Sequence, residues 1–166
     1  MIRLREATEE DAEEIAALRN AAADHLTARF GKGHWSGHST PEGVVHRMRQ
    51  GTVYVVRTRV RMVATLALTG RKPWAIDPSH FRPVERPLYL VDMAVLPARQ
   101  GRGIGRGALV DAVRIARGRG AGSLRLDAYD APAGAGGFYE RCGFSEVGRG
   151  SFRKVPLVFY ERIIEG

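Results

Sequence analysis

Four glycines occupy alternate positions from Gly101 to Gly107, the first three in the run Gln100-Gly101-Arg102-Gly103-Ile104-Gly105, with Arg99 and Arg106 on its flanks. Without side chains in the way, backbone N–H groups can come close to an anion, and a helix starting here adds unpaired donors and a partial positive charge. The chemistry this favours is the holding of a pyrophosphate. Arg99, Arg102 and Arg106 are placed either to neutralise its charge or to stand solvated on the surface. A phosphate loop of the Gly-Lys-Ser/Thr type is excluded, because no such triplet is present. A dinucleotide fingerprint is met only in its loosest form by Gly103, Gly105 and Ala108, with Asp127 about 20 residues on. Its first glycine should follow a strand almost at once, yet Pro97 to Arg102 intervene, and the remaining chain is too short for a doubly wound sheet. A plain strand-to-helix turn stays open as the third reading, although each glycine costs up to about 1 kcal/mol where it is helical.

Other residues carry weaker signals. Asp92 is a charge inside the nearly continuous apolar run Leu88 to Leu96. Burial of a carboxylate is costly, so it calls for a function, a structural hydrogen bond or an exposed strand face. Glu85 and His80 are titratable groups in a proline-rich stretch, and Trp74, Trp35 and His34 either line a pocket or pack a loop. The lone Cys142 is read as core, since a nucleophilic thiol needs a base partner that the sequence does not identify. Zinc needs several ligands, so no metal site is expected.

These groups must be positioned by a mixed fold. Ile2 to Arg5 alternates as a short strand, and Thr8 with Asp11 resembles a capping pair ahead of a helix whose stripe is Ile15, Leu18, Ala22 and Leu26. Gly31 to Gly37 reads as a flexible loop, and Ser39 or Thr40 before Pro41 starts a second helix that ends at Gly51. Val53 to Arg57 and Met62 to Thr69 suggest an antiparallel hairpin. Gly70 to Pro87, with four prolines, reads as a long loop. Leu88 to Leu96 predicts a mid-sheet strand covered on both faces and closed by Pro97. Ala108, Leu109, Ala112, Val113 and Ala116 form a helical stripe that stops at Gly118 and Gly120. Ser123 to Tyr129 is a strand, a glycine-rich helix runs to Cys142, and Val155 to Ile163 supplies the last strand.

The 166 residues, with 44% hydrophobic and 27% charged, fit one globular domain over 1-166, without repeats, low-complexity tails or linkers. No apolar run approaches the roughly 20 residues that span a bilayer, and the start of the chain has no secretory pattern, so a cytoplasmic protein without membrane partners is expected. The formal charge of +8 favours polyanionic partners. The arginines are scattered rather than gathered into one run, so a nucleic-acid partner is not expected.

Two separated motifs then resemble the GNAT superfamily of N-acetyltransferases. Gln100, Gly103 and Gly105 match its pattern of Gln or Arg, two residues, Gly, one residue, then Gly or Ala. Met93-Ala94-Val95-Leu96-Pro97 is similar to the family's fourth strand, and Phe138-Tyr139-Glu140-Arg141-Cys142-Gly143-Phe144 to its Phe-Tyr segment; the motifs and what lies between them cover about a third of the chain. The resemblance implies an α/β fold: a mixed, mostly antiparallel central sheet of six to seven strands, splayed at its two central parallel strands and flanked by about four helices. It implies acetyl-CoA as cosubstrate, lying between Leu88 to Leu96 and Ser123 to Tyr129, and direct acetyl transfer to a primary amine of a small molecule or peptide. Backbone groups of Met93 and Val95 would hold the thioester and pantetheine arm, where an N–H facing developing negative charge is worth about 2.7 to 4 kcal/mol. Pyrophosphate would fall on Gln100, Gly101, Arg102, Gly103, Ile104, Gly105 and Arg106. Tyr139 matches the family's proton donor to the departing thiolate, with core packing beside Phe138 as the alternative. Asp92 is the favoured general base, ahead of Glu85 and His80. Where the family often carries an Asn before the Phe-Tyr segment, this chain has Pro132. Dimerisation is common in that family. The alternative function is a non-catalytic acyl-CoA-binding regulatory module, which would keep the glycine turn and not need Tyr139.

Overall fold

The computed structural model describes residues 1–165. In chain order its elements are β1 (Arg5–Glu6), α1 (Ala12–Phe30), α2 (Pro41–Gln50), β2 (Thr52–Arg57), β3 (Met62–Thr69), β4 (Leu88–Val95), α3 (Ile104–Gly118), β5 (Ser123–Tyr129), α4 (Gly136–Arg141), β6 (Ser145–Phe152) and β7 (Val155–Ile163). The strands form a seven-stranded mixed sheet in the order β1-β2-β3-β4-β5-β7-β6, in which β4 and β5 pair in parallel at Leu88↔Leu124 and Tyr89↔Arg125. The chain folds as two compact units, Met1–Thr69 with Val91–Ala112, and Gly70–Leu90 with the residues from Val113 on.

In the first unit, local signals and packing agree. The Asp11 carboxylate accepts the Thr8 N–H at 2.9 Å, which turns the chain into α1. Thr40 caps α2 by accepting the Gly43 N–H at 3.1 Å, with Pro41 in the first helical turn. Ala12, Ile15, Ala16 and Leu18 of α1 and Val44 of α2 pack with Val53, Val55, Met62 and Ala67 into one core, and Val91, Ala94 and Leu96 lie against it. Glu14 pins α1 to β3 by accepting the Met62 N–H at 2.9 Å, while Arg57 spans Asp11 and Glu14 at 2.7 and 2.8 Å. The strand expected over Ile2 to Arg5 is confined to Arg5–Glu6, because the buried Asp111 takes the Leu4 N–H at 2.8 Å and Arg3 at 3.0 Å before a ladder can start.

The second unit departs further from local signals. The long loop before β4 is ordered by burial: Ile76 and Phe81 join Tyr89, Leu157 and Phe159 in a second core. Strand β6 carries only a weak β signal, Val147 and Phe152 among glycines and polar residues, and pairing with β7 from Ser145↔Glu161 to Phe152↔Val155 makes it a strand. The connecting turn places Arg153 and Lys154 at φ 49° and 68°, the twist of a tight hairpin built here without glycine. One charged position of β5, Arg125, is also sealed. Arg125 meets Glu161 at 2.9 Å with side chains only 7% and 3% exposed, gives Nη1 to the Tyr89 hydroxyl and Nη2 to the Arg82 carbonyl, and stands 4.9 Å from the centre of the Phe81 ring.

Candidate functional site

The glycine turn leads into α3 through backbone that side chains resist. Gly101 and Gly103 lie at φ 75° and 81°, in the left-handed region, and a Cβ built on either would meet nothing within 4 Å. The first amide to find a backbone acceptor at this helix start is that of Gly107, on the Gly103 carbonyl at 2.9 Å. The amides of Ile104, Gly105 and Arg106 precede any i−4 partner within α3, so they are the orphan donors of a helix N-terminus. Arg102 and Arg106 are exposed beside them, and Arg99 is half-buried. Gly107 serves packing instead, since an added Cβ there would run into Ile2. The Gln100 side chain donates to the Val95 carbonyl at 3.1 Å, which ties the turn back to the end of β4.

β4 itself departs from the expected double cover. Tyr89 and Leu90 are buried, but every residue from Val91 to Val95 is half-buried, whereas β3 is buried throughout. Met93 and Val95 lie within that half-buried stretch. Asp92 sits in that stretch at φ 56°, a conformation a non-glycine residue holds only where its surroundings impose it. Those surroundings are two guanidiniums: Arg19 of α1 gives Nη2 to Oδ1 at 3.2 Å, and Arg47 of α2 gives Nε to Oδ2 at 2.8 Å. The first unit therefore brings together Asp92, Met93, Val95 and residues 100 to 106 along one stretch of chain, and adds Arg19 and Arg47.

Tyr139 belongs to the second unit. It is buried on α4, with Phe138, Phe144 and Tyr160 rings 5.3, 5.8 and 6.3 Å away. Burial, reinforced by the Asp127 carboxylate, pushes its phenol well above the usual tyrosine range, so it stays protonated. Gly136 lets α4 come close, because a Cβ there would strike the Tyr160 hydroxyl. The remaining candidates are placed more plainly. His80 stacks on Phe159 at 5.2 Å, Glu85 gives its carbonyl to the Gly122 N–H, and Trp74 is 88% exposed. Trp35 donates its ring N–H to the Gly31 carbonyl, and Cys142 is buried. No cluster of metal-ligating side chains occurs among the described residues.

Two features escaped sequence reading. Arg19 follows directly on the apolar stripe of α1, and nothing in linear spacing couples it to Arg47 or Asp92. The Arg125–Glu161 pair sits on alternating strands whose polar positions read as solvent-facing, and only the covering loop makes them interior.

Residues 32–144, more than half of the chain, match the Acetyltransferase (GNAT) family. Among solved structures, an acetyltransferase of the GNAT family from Streptococcus agalactiae 2603 superposes with a TM-score of 0.80 at 15% identity, covering 99% of this chain and 96% of that one. The ribosomal-protein-S18-alanine N-acetyltransferase of Escherichia coli gives 0.72 at 16% identity, over 100% and 96% of the two chains. A protein from Salmonella typhimurium described as an acetyltransferase, solved with its cofactor acetyl-CoA, gives 0.70 at 18% identity over 99% and 94%. At these identities the likeness is one of fold. A sequence comparison with curated proteins finds no match.

Proposed function

Because the chain belongs to the GNAT acetyltransferase family, we propose that it moves the acetyl group of acetyl-CoA to a primary amine of a small molecule or peptide by direct transfer. Acetyl-CoA is its cosubstrate, and supplies an acyl carbon made electrophilic by a thiolate leaving group. The observation that carries the reading is the open glycine turn, whose amides at the start of α3 lack helical partners while exposed Arg102 and Arg106 stand beside them. Residues from Gln100 to Arg106 would hold the diphosphate, and backbone groups of Met93 and Val95, on the half-buried stretch of β4, would hold the arm and thioester. An amide there, facing the oxygen on which charge develops, lowers the barrier only in the transition state.

Tyr139 is proposed as the acid. Its phenol is protonated across the physiological range and would donate to sulfur as the C–S bond breaks and the N–C bond forms, a transfer for which burial makes it a weaker acid than a free tyrosine. Asp92 is proposed as the group toward which the amine proton leaves. Its two oxygens are held by Arg19 and Arg47, and from there it would pass the released proton to solvent. We propose that residues 1–166 act as one transferase domain and that the enzyme is cytoplasmic; no helix among the described residues is long and apolar enough to cross a membrane.

Calorimetry with coenzyme A, followed by thiol release from acetyl-CoA against an amine panel, tests the proposal. Heat on binding together with amine-dependent thiol release is the expected result. Binding without transfer to any amine would make the chain a non-catalytic acyl-CoA-binding module, and absence of binding would dismiss both readings.

A further inference from the structure

We infer that the acceptor amine carries a carboxylate, as a free amino acid does, and that Arg19 and Arg47 recognise it. The inference rests on the transferase reading above and names the substrate class for that site. Its basis is an imbalance of charge: two guanidiniums, one from each of the first two helices, converge on the single carboxylate of Asp92. Two positive charges against one leave an excess of one. The sealed Arg125–Glu161 pair, by contrast, is one-to-one.

The cluster is also open. The side chains of Arg19, Arg47 and Asp92 retain 27%, 31% and 24% of their exposure, so solvent reaches all three. Arg19 spends one terminal nitrogen on Asp92, and Arg47 spends Nε on Asp92 and Nη1 on Gln50 at 3.1 Å. A guanidinium carries five N–H donors in a planar fork suited to a carboxylate, so both arginines keep donors to offer. The crevice enclosed behind them, lined also by Thr65, is only ≈ 10 Å³, so a ligand meets the arginines from their solvent side.

Position completes the argument. Asp92 directly precedes Met93 on the half-buried stretch of β4, and its left-handed backbone turns this carboxylate onto the two helices instead of into the alternation of the strand. Positive, negative and positive charges arranged there complement a molecule that bears an ammonium and a carboxylate close together. The ammonium meets Asp92 as it gives up its proton, and the carboxylate takes the spare arginine donors.

Matched acceptors test this: L-leucine against L-leucinamide and L-phenylalanine against L-phenylalaninamide, with acetyl-CoA, following thiol release. Without its neighbouring carboxylate the amide's amino group is the less basic, so more of it is free base near neutral pH and chemistry alone favours the amide. We expect the opposite order, with kcat/KM at least ten-fold higher for the acids. Arg19→Gln and Arg47→Gln should each bring that ratio close to one, mainly through KM for the acid. Equal or better use of the amides by the unaltered protein overturns the inference and leaves the transferase reading standing. Variants that melt earlier but keep the full acid preference reduce the arginines to a structural clamp and overturn it as well. If neither acids nor amides are acetylated although other amines are, the substrate class is wrong; if no amine is acetylated, the transferase reading falls first and takes this one with it.

Discussion

Two charge clusters, one in each unit, are built in opposite ways. In the first, Asp92 is shared by Arg19 and Arg47, the cluster is partly exposed, and the charges do not cancel. In the second, Arg125 and Glu161 form a one-to-one pair that is almost fully buried, with a backbone carbonyl, a backbone N–H and a tyrosine hydroxyl as further partners. A buried pair is tolerated because each guanidinium nitrogen has an acceptor, and breaking it leaves an uncompensated charge in a poor solvent. An exposed cluster with charge to spare contributes little to folding and keeps its field available for a ligand. Electrostatics of the first kind suits encounter, and of the second kind suits cohesion.

The strongest test of that division is Tyr139→Phe, in the sealed unit. Its aromatic packing survives the loss of one hydroxyl, so turnover should drop roughly ten- to ten-thousand-fold with coenzyme A affinity nearly unchanged. Unchanged turnover would reduce Tyr139 to core. Next come two substitutions that remove the same charge from the two clusters. Glu161→Gln leaves Arg125 buried without its counter-ion and should cost about 3 to 5 kcal/mol in urea unfolding. Asp92→Asn, in the open cluster, should cost about 0 to 1 kcal/mol by the same measurement. Equal losses would erase the distinction drawn between the units.

Gly103→Ala probes the open turn directly. The site has room for a methyl group, so the cost is that of left-handed backbone, about 1 to 2 kcal/mol, and coenzyme A should bind more weakly as the turn relaxes. Calorimetry showing unaltered affinity would remove the turn from the cofactor site. The smallest effect concerns alkaline pH. Burial raises the Tyr139 and Tyr160 phenols in the folded chain. The unfolded chain therefore ionises first, and stability declines as pH rises past the ordinary tyrosine value of about 10. Tyr139→Phe should show a shallower decline in urea midpoint between neutral and strongly alkaline pH than the unaltered chain.

Much of the site was legible because its signals are local. Alternating glycines before a helical stripe announce an anion-binding turn, since backbone freedom and helix-end donors are properties of consecutive residues. Asp92 was visible as a charge in an apolar run, and Tyr139 as part of a recognisable segment. The two arginines on Asp92 were not legible, because helices and a strand distant along the chain bring them together. Strand β6 was missed for a related reason: its two glycines and polar residues outweigh Val147 and Phe152, and the ladder with β7 decides its conformation. The expectation that β4 is covered on both faces failed from Val91 to Val95 because an apolar run reports affinity for burial and not whether a partner arrives to provide it.

By itself, the sequence determined the helices, five of the strands and the chemistry of the glycine turn, since caps, period and backbone freedom act over a few residues. Tertiary structure alone decided which charges would be sealed and which left open. Whether a guanidinium is answered, exposed or in excess depends on groups far apart in the chain, and no local pattern encodes that balance.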